Sequence, residues 1–311
     1  MKVIFMGTPD FAVSILQGLI DSNHELLGVI TQPDRPKGRG KQVAMPPIKL
    51  LATEHNIPIF QPKKVKDSEF VSIIEVLNPD IIIVAAFGQI LSQRILDIPR
   101  YGCINVHGSL LPLYRGAAPI QWAIINNDRV SGVTIQQMVY ALDEGDIILK
   151  EEVVLDSNET GGSLHDRLSL ISTSLVLETL KRLELDAITR IKQDESAATY
   201  APMLNKALGH INWKDDAERI ECLIRGLNPW PSAYTFYNSQ MLKIWEADVI
   251  RNQDSGDSPS GSVVFNSSNN LVVACGQDLL SLKTIQLQGK KRMAASDFLR
   301  GHVIPEGTIL K

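Results

Sequence analysis

Asn105 and His107 stand two residues apart at the end of an apolar run, GCINVH (102–107). Residues two apart in a strand project from one face, so this spacing sets an amide beside an imidazole. The amide offers an N–H donor, and the imidazole a donor or a proton carrier tunable near neutral pH. The pair suits a carbonyl on its way to a tetrahedral oxyanion. The turn GSLLP (108–112) follows and is expected to expose backbone N–H and C=O groups to a ligand. No Ser or Cys lies at the spacing of a nucleophile motif, and no second His is near enough to suggest a metal. A catalytic His needs an orienting acid. ALDEGDII (141–148) offers Asp143, Glu144 and Asp146 in a loop between two strand-like segments, and the residues alone do not choose among them. His24, His55, His165, His210 and His302 have no such partner pattern and read as structural.

The elements that must position this pair are legible as alternating patterns. Apolar runs KVIFM (2–6), ELLGVIT (25–31), IPIF (57–60), DIIIVAAF (80–87), GVTIQQMV (132–139) and DIILKEEVVL (146–155) alternate with helical periodicities near 11–20, 47–56, 67–77 and 117–125. Strands apolar on both sides and separated by helices predict an α/β fold: a Rossmann-like, mostly parallel sheet with helices on both faces. In such sheets the carboxyl ends of the strands form the ligand crevice, and Asn105 and His107 fall there. Ser163 is expected to open a long helix reaching about Leu185, with Asp166 completing a capping box. The polar stretch 190–205 reads as a linker. Beyond it, a helical run (216–227), the punctuation NPWP and several short strand-like segments predict a smaller β-barrel, OB-like in kind. The expected domains are therefore 1–189 and 206–311.

Composition narrows the function. A net charge of −4 excludes a protein coated in basic residues, yet the charge is uneven. QPDRPKGRGKQVAMPP (32–47) reads as a long loop carrying Arg35, Lys37, Arg39 and Lys41 with no acid among them, and Lys63, Lys64 and Lys66 follow. Focused positive charge in an acidic protein points to a phosphate-rich partner. Three widely spaced cysteines, Cys103, Cys222 and Cys275, give neither a zinc site nor a disulfide framework. GTPDFA (7–12) has one glycine of the three that a dinucleotide fingerprint needs, and Asp34 lies too far past its strand to serve as the ribose acid. No apolar stretch approaches the ~20 residues of a membrane span. The chain enters its first strand directly, so a cytoplasmic location without membrane contact is expected.

Taken together, GTPDFA, QPDRPKGRGK, NVHGSLLPLYRGAAPIQWAI, LDEGDI and, far downstream, LNPWPSAYTF closely resemble the methionyl-tRNA formyltransferases, part of the 10-formyltetrahydrofolate-dependent formyltransferase family. The resemblance spans essentially the whole chain. It implies that Asn105, His107 and Asp143 are catalytic, and that Ser109, Leu110, Leu111 and Pro112 contact the folate. It also implies that Arg39 meets the acceptor end of tRNA. The family usually reads Met-Asp-x-Gly-Leu-Asp before the acid; here Val139 and Ala141 replace the earlier Asp and the Gly. The implied reaction is direct formyl transfer from 10-formyltetrahydrofolate to the α-amine of methionyl initiator tRNA, with no metal and in a monomer. The basic residues Arg35, Lys37, Arg39 and Lys41, with Lys290, Lys291 and Arg292 in the second domain, are the expected tRNA contacts. Other amine acceptors (glycinamide ribonucleotide or an amino sugar), hydrolysis of the donor, and non-catalytic RNA binding are the rival readings.

Overall fold

The computed structural model describes residues 1–37, 42–251, 258–267 and 270–311. Two compact units emerge. The first comprises 1–116, 131–153 and 165–201, and the second 117–130, 154–164 and 202–311.

Strands of the first unit are β1 (Lys2–Gly7), β2 (Glu25–Ile30), β3 (Arg35–Lys37), β4 (Gln42–Ala44), β5 (Ile59–Phe60), β6 (Ile81–Ala85), β7 (Cys103–His107), β8 (Arg115–Gly116), β9 (Val130–Gln137), β10 (Ile147–Val154) and β11 (Tyr200–Ala201). Seven of them form one sheet in the order β10-β9-β7-β6-β1-β2-β5. The pairings of β1 with β2 and β6, of β2 with β5 and of β6 with β7 are parallel; β9 runs antiparallel to β7. The helices, in chain order, are α1 (Val13–Ile20), α2 (Pro47–Glu54), α3 (Ser68–Leu77), α4 (Gln93–Leu96), α5 (Pro119–Ile125), which belongs to the second unit, and α6 (Gly161–Glu184), whose first turn belongs to the second unit and the rest to the first. Ile4, Met6, Ile82 and Val84 pack with Val71 and Ile74 of α3 and with Ile95 and Leu96 of α4. Val3, Phe5, Ile81 and Ile83, which point the other way, are buried as well. Burial on both faces is why these strands read as continuous apolar runs rather than alternating ones.

Two expectations change here. The basic stretch read as one long loop contains a short antiparallel ladder, β3 with β4; Arg39 and Lys41 lie outside the described residues. Helix α6 begins at Gly161 rather than Ser163. Its cap is reciprocal: Ser163 N donates to Thr160 Oγ1 (3.1 Å) and Thr160 N donates to Ser163 Oγ (2.9 Å). The two glycines that look like a loop are in the first turn because Cβ atoms there would meet Gly226 O at 2.4 Å and Pro229 Cδ at 2.9 Å.

The second unit adds α7 (Ala217–Gly226), β12 (Ala233–Tyr237), β13 (Gln240–Ile250), β14 (Val263–Ser267), β15 (Asn270–Ala274), β16 (Leu279–Leu287), β17 (Met293–Ala294) and α8 (Ala295–Gly301). Its antiparallel sheet runs β12-β13-β16-β15-β14, with β17 on β16. Trp213, Ile220, Ile224, Leu242, Ile244, Leu280 and Phe298 fill its core. The last residues of the chain bridge the two edges of this sheet. Phe236 N donates to Lys311 O (2.7 Å) on the β12 side, and Val263 N donates to Thr308 O (2.8 Å) on the β14 side. The sheet is thus curled, and its edges are occupied by the chain's own backbone.

Among the described residues no helix is long and apolar enough to cross a membrane. All three cysteines are free and buried. Burial pushes the Cys103 and Cys275 thiols up to about 12 and that of Cys222 up to about 11, so none is a poised thiolate.

Candidate active site

Strand β7 ends with Asn105 and His107 on one face, and the register of its antiparallel neighbour sets Gln136 opposite Asn105 and Thr134 opposite His107. Four polar side chains therefore share one face at a strand end. Thr134 is fully buried, and Gln136 and His107 are nearly so. Buried polar groups need partners, and each of these has one.

The partner common to most of them is the carboxylate of Asp143. Its Oδ1 accepts from Gln136 Nε2 at 2.9 Å and from Asn105 Nδ2 at 3.4 Å, and lies 3.7 Å from His107 Nδ1. Its Oδ2 accepts from the backbone N–H of Gly116 at 2.8 Å. Asp143 adopts a left-handed conformation (φ 56°) in the loop between β9 and β10, a state that Asp tolerates better than most residues. Of the three acids in that loop, the structure brings Asp143 to the Asn–His pair. Glu144 instead faces Arg115, with Oε1 3.8 Å from Nη1. Gly145 allows the loop to return close against β9, because a Cβ there would sit 1.5 Å from Gln137 O. Val139 and Ala141, the two departures from the family pattern, precede this turn in exposed positions.

His107 is anchored from its other side. Its Nε2 lies 2.9 Å from Tyr114 O, so this nitrogen donates to the carbonyl and the Nδ1 edge faces Asp143. Asn105 Nδ2 carries two hydrogens, of which one points to Asp143 and the second can meet an oxyanion.

The turn 108–112 differs from expectation. Rather than presenting its carbonyls outward, it uses them internally. Ser109 O accepts from Thr134 Oγ1 (2.6 Å), Leu110 O from Leu113 N (3.1 Å), Leu111 O from Lys150 Nζ, Pro112 O from Thr199 N (3.3 Å) and Leu113 O from Ser109 Oγ (2.6 Å). Ser109 and Leu111 are buried; their side chains hold the turn. Leu110 and Pro112 are half-buried and Leu113 is exposed, which leaves apolar surface on this turn.

The stretch 190–205, read as a linker, is bound to this unit as far as Ala201. β11 pairs with β8, and Arg115, itself buried, is gripped from there. Arg115 Nη2 donates to Gln193 Oε1 (2.9 Å) and Glu195 Oε1 (2.8 Å), and Nη1 donates to Glu195 Oε2 (2.9 Å). Those hydrogen bonds hold the Glu195 carboxyl below the usual range and raise the Arg115 guanidinium. Gln193 Nε2 reaches the loop of Asp143, donating to Asp143 O (2.7 Å) and Gly145 O (2.8 Å). The sequence signal for this network was weak: Thr134 and Gln136 stand two apart in an apolar strand, but nothing local names their partners.

Asp34 is occupied elsewhere. Gln61 Nε2 donates to its Oδ1 and Lys49 Nζ to its Oδ2, both at 2.7 Å, and these bonds lower its pKa. Among the described residues no group of three or more His, Cys, Asp or Glu is placed to hold a metal ion. In the second unit Lys290, Lys291 and Arg292 form an exposed turn after β16. Arg292 stacks 4.6 Å from the Trp245 ring centre, with Lys243 Nζ 5.4 Å from the same ring.

Comparisons with known proteins agree with this architecture. Residues 1–180 match the formyl transferase family, and residues 203–303 match the formyl transferase C-terminal domain. A methionyl-tRNA formyltransferase of Agathobacter rectalis is 51% identical over 308 residues, covering 99% of each chain. The enzyme of that name from Clostridioides difficile is 49% identical over 310 residues, covering the whole of both. Among solved structures, the sugar 3N-formyltransferase WlaRD is similar in fold (TM-score 0.69, 20% identity, 94% of this chain and 99% of that one). An N-formyltransferase from Helicobacter canadensis is also similar, with a TM-score of 0.66 at 17% identity, covering 91% of this chain and 99% of that one. The chain belongs to the formyl transferase family, within its methionyl-tRNA formyltransferase branch.

Proposed function

We propose that the chain transfers the formyl group of 10-formyltetrahydrofolate to the α-amino group of methionyl initiator tRNA. The observation that carries this reading is the convergence of Asn105, His107 and one carboxylate, Asp143, at the end of a central strand. An activated formyl group needs no protein nucleophile. It needs its carbonyl oxygen polarised, its attacking amine deprotonated and its leaving nitrogen reprotonated. Asn105 donates the second hydrogen of its amide to the oxyanion as the amine adds to the formyl carbon. His107, fixed by Tyr114 O at Nε2, receives the amine proton on its Nδ1 edge, and Asp143 balances the charge. The proton then passes to N10 as the carbon–nitrogen bond breaks. Leu110, Pro112 and Leu113 offer apolar surface for the folate rings beside this centre. Ser109 and Leu111 support that surface from inside.

The tRNA body falls to basic residues of both units, Arg35, Lys37, Arg39 and Lys41 in the first and Lys290, Lys291 and Arg292 in the second. This assigns chemistry to residues 1–189, with RNA grip shared between the basic residues 35–41 and residues 206–311, and the protein acting as a monomer in the cytoplasm. The test is direct. Incubation with 10-formyltetrahydrofolate and charged initiator tRNA yields formyl-methionine after the ester is hydrolysed. Free formate alone, or formylation of an amino sugar but not of the charged tRNA, would refute the assignment.

A further inference from the structure

Gln193 lies outside every motif that suggested function, yet both ends of its side chain are engaged around the candidate centre. Its Nε2 donates to the carbonyls of Asp143 (2.7 Å) and Gly145 (2.8 Å), and its Oε1 accepts from Arg115 Nε (3.1 Å) and Nη2 (2.9 Å). Arg115 is in turn held by Glu195, and its neighbour Gly116 donates its N–H to Asp143 Oδ2. One amide thus joins the backbone under the carboxylate to the strand whose N–H binds that carboxylate. Asp143 depends on both attachments, because its left-handed backbone (φ 56°) sits in a loop with four exposed residues (139–142) before it. Nothing else among the described residues donates to Asp143 O.

We propose that Gln193 is a positioning residue for formyl transfer. By clamping the carbonyls of Asp143 and Gly145 to Arg115, it sets the carboxylate against His107 and Asn105. The inference rests on the reading of Asp143 as the acid of the centre. Without the clamp the loop loses two hydrogen bonds and Arg115 loses an acceptor, while the surfaces proposed for folate and tRNA are untouched. The expected mark is therefore on turnover rather than on substrate binding.

The experiment is a double-mutant cycle on the full chain, assayed at saturating 10-formyltetrahydrofolate and charged initiator tRNA. Q193L is expected to lower kcat roughly tenfold, the range of coupling between touching residues, with both KM values within about twofold of the parent by the same measure. Q193E, which keeps the acceptor for Arg115 but replaces the donor, is expected to be no better than Q193L. In a D143N background the Q193L effect should fall below about twofold, because the group through which Gln193 acts is already disabled. An equal drop in both backgrounds would overturn the proposal, as would a rise in KM without a fall in kcat. If neither variant retains the parent's circular dichroism, Gln193 is a structural residue and the proposal fails. A D143N enzyme with undiminished turnover would instead remove Asp143 from the reaction, a different failure that takes the proposal with it.

Discussion

At the scale of single residues, the arrangement separates three jobs that a sequence motif lumps together. Asn105 is only loosely held by Asp143, at 3.4 Å, and in the proposed reaction gives its second amide hydrogen to the oxyanion. His107 is pinned by a backbone carbonyl on one side and faced by a carboxylate on the other. Asp143 accepts from Gln136, Gly116 and Asn105. Replacing Asn105 by Ala removes one oxyanion donor and should cost about 10²–10³ in kcat. On the proposed mechanism His107→Ala and Asp143→Ala remove proton management and should each cost about 10²–10⁴. All three variants should keep the parent's circular dichroism. Parent-like turnover from any of them would exclude that residue from the centre. The spacing of Asn105 and His107 was readable from their strand, but the local pattern did not choose their carboxylate, which only the family resemblance pointed to. Three acids crowd residues 143–146, and which one turns inward is decided by a left-handed backbone at Asp143 and by Arg115 drawing Glu144 away.

At the scale of elements, what could be read depended on how local the cause was. Continuous apolar runs announced the central strands, because burial on both faces leaves a local imprint. The antiparallel register of β9 against β7 left none, since a period of two says which residues share a face but not what they face. The stretch 190–205 misled for a physical reason. Gln193, Glu195 and Thr199 bind a guanidinium and backbone groups, and a polar segment bound to polar partners has the same composition as one bound to water. Only the start of helix α6 differed, at Gly161 and Gly162, where close packing admits glycine in the first turn. Gly145 belongs to this class, and its role is testable. A methyl group at 145 overlaps Gln137 O, so Gly145→Ala must push the loop off β9 and carry Asp143 from His107. A displacement of about 1 Å at a reacting group can cost about 10² in rate. The variant should therefore lose turnover to about that extent while both units stay folded. Unchanged kcat would mean that the loop need not hold its place against β9.

At the scale of the whole molecule, the net charge of −4 conceals a division. Residues 204–311 carry 12 Lys and Arg against 11 Asp and Glu, and the rest of the chain carries 19 against 24. An acidic protein that must approach a polyanion does so through local patches. Lys290, Lys291 and Arg292 make such a patch, braced where Arg292 lies over Trp245 beside Lys243. Each phosphate neutralised by such a side chain releases counterions, so affinity for tRNA should fall roughly tenfold or more between 50 and 200 mM salt. Replacing Lys290, Lys291 and Arg292 together by Ala should weaken binding of initiator and elongator tRNA alike, because phosphate contacts carry no sequence information. The slope of log affinity against log salt should also flatten, by up to about three. Filter binding across a salt series measures both quantities. A variant with the parent's slope would move the RNA contact off this turn. A parent enzyme indifferent to salt would remove phosphate contacts from recognition altogether, leaving the charge division without a function.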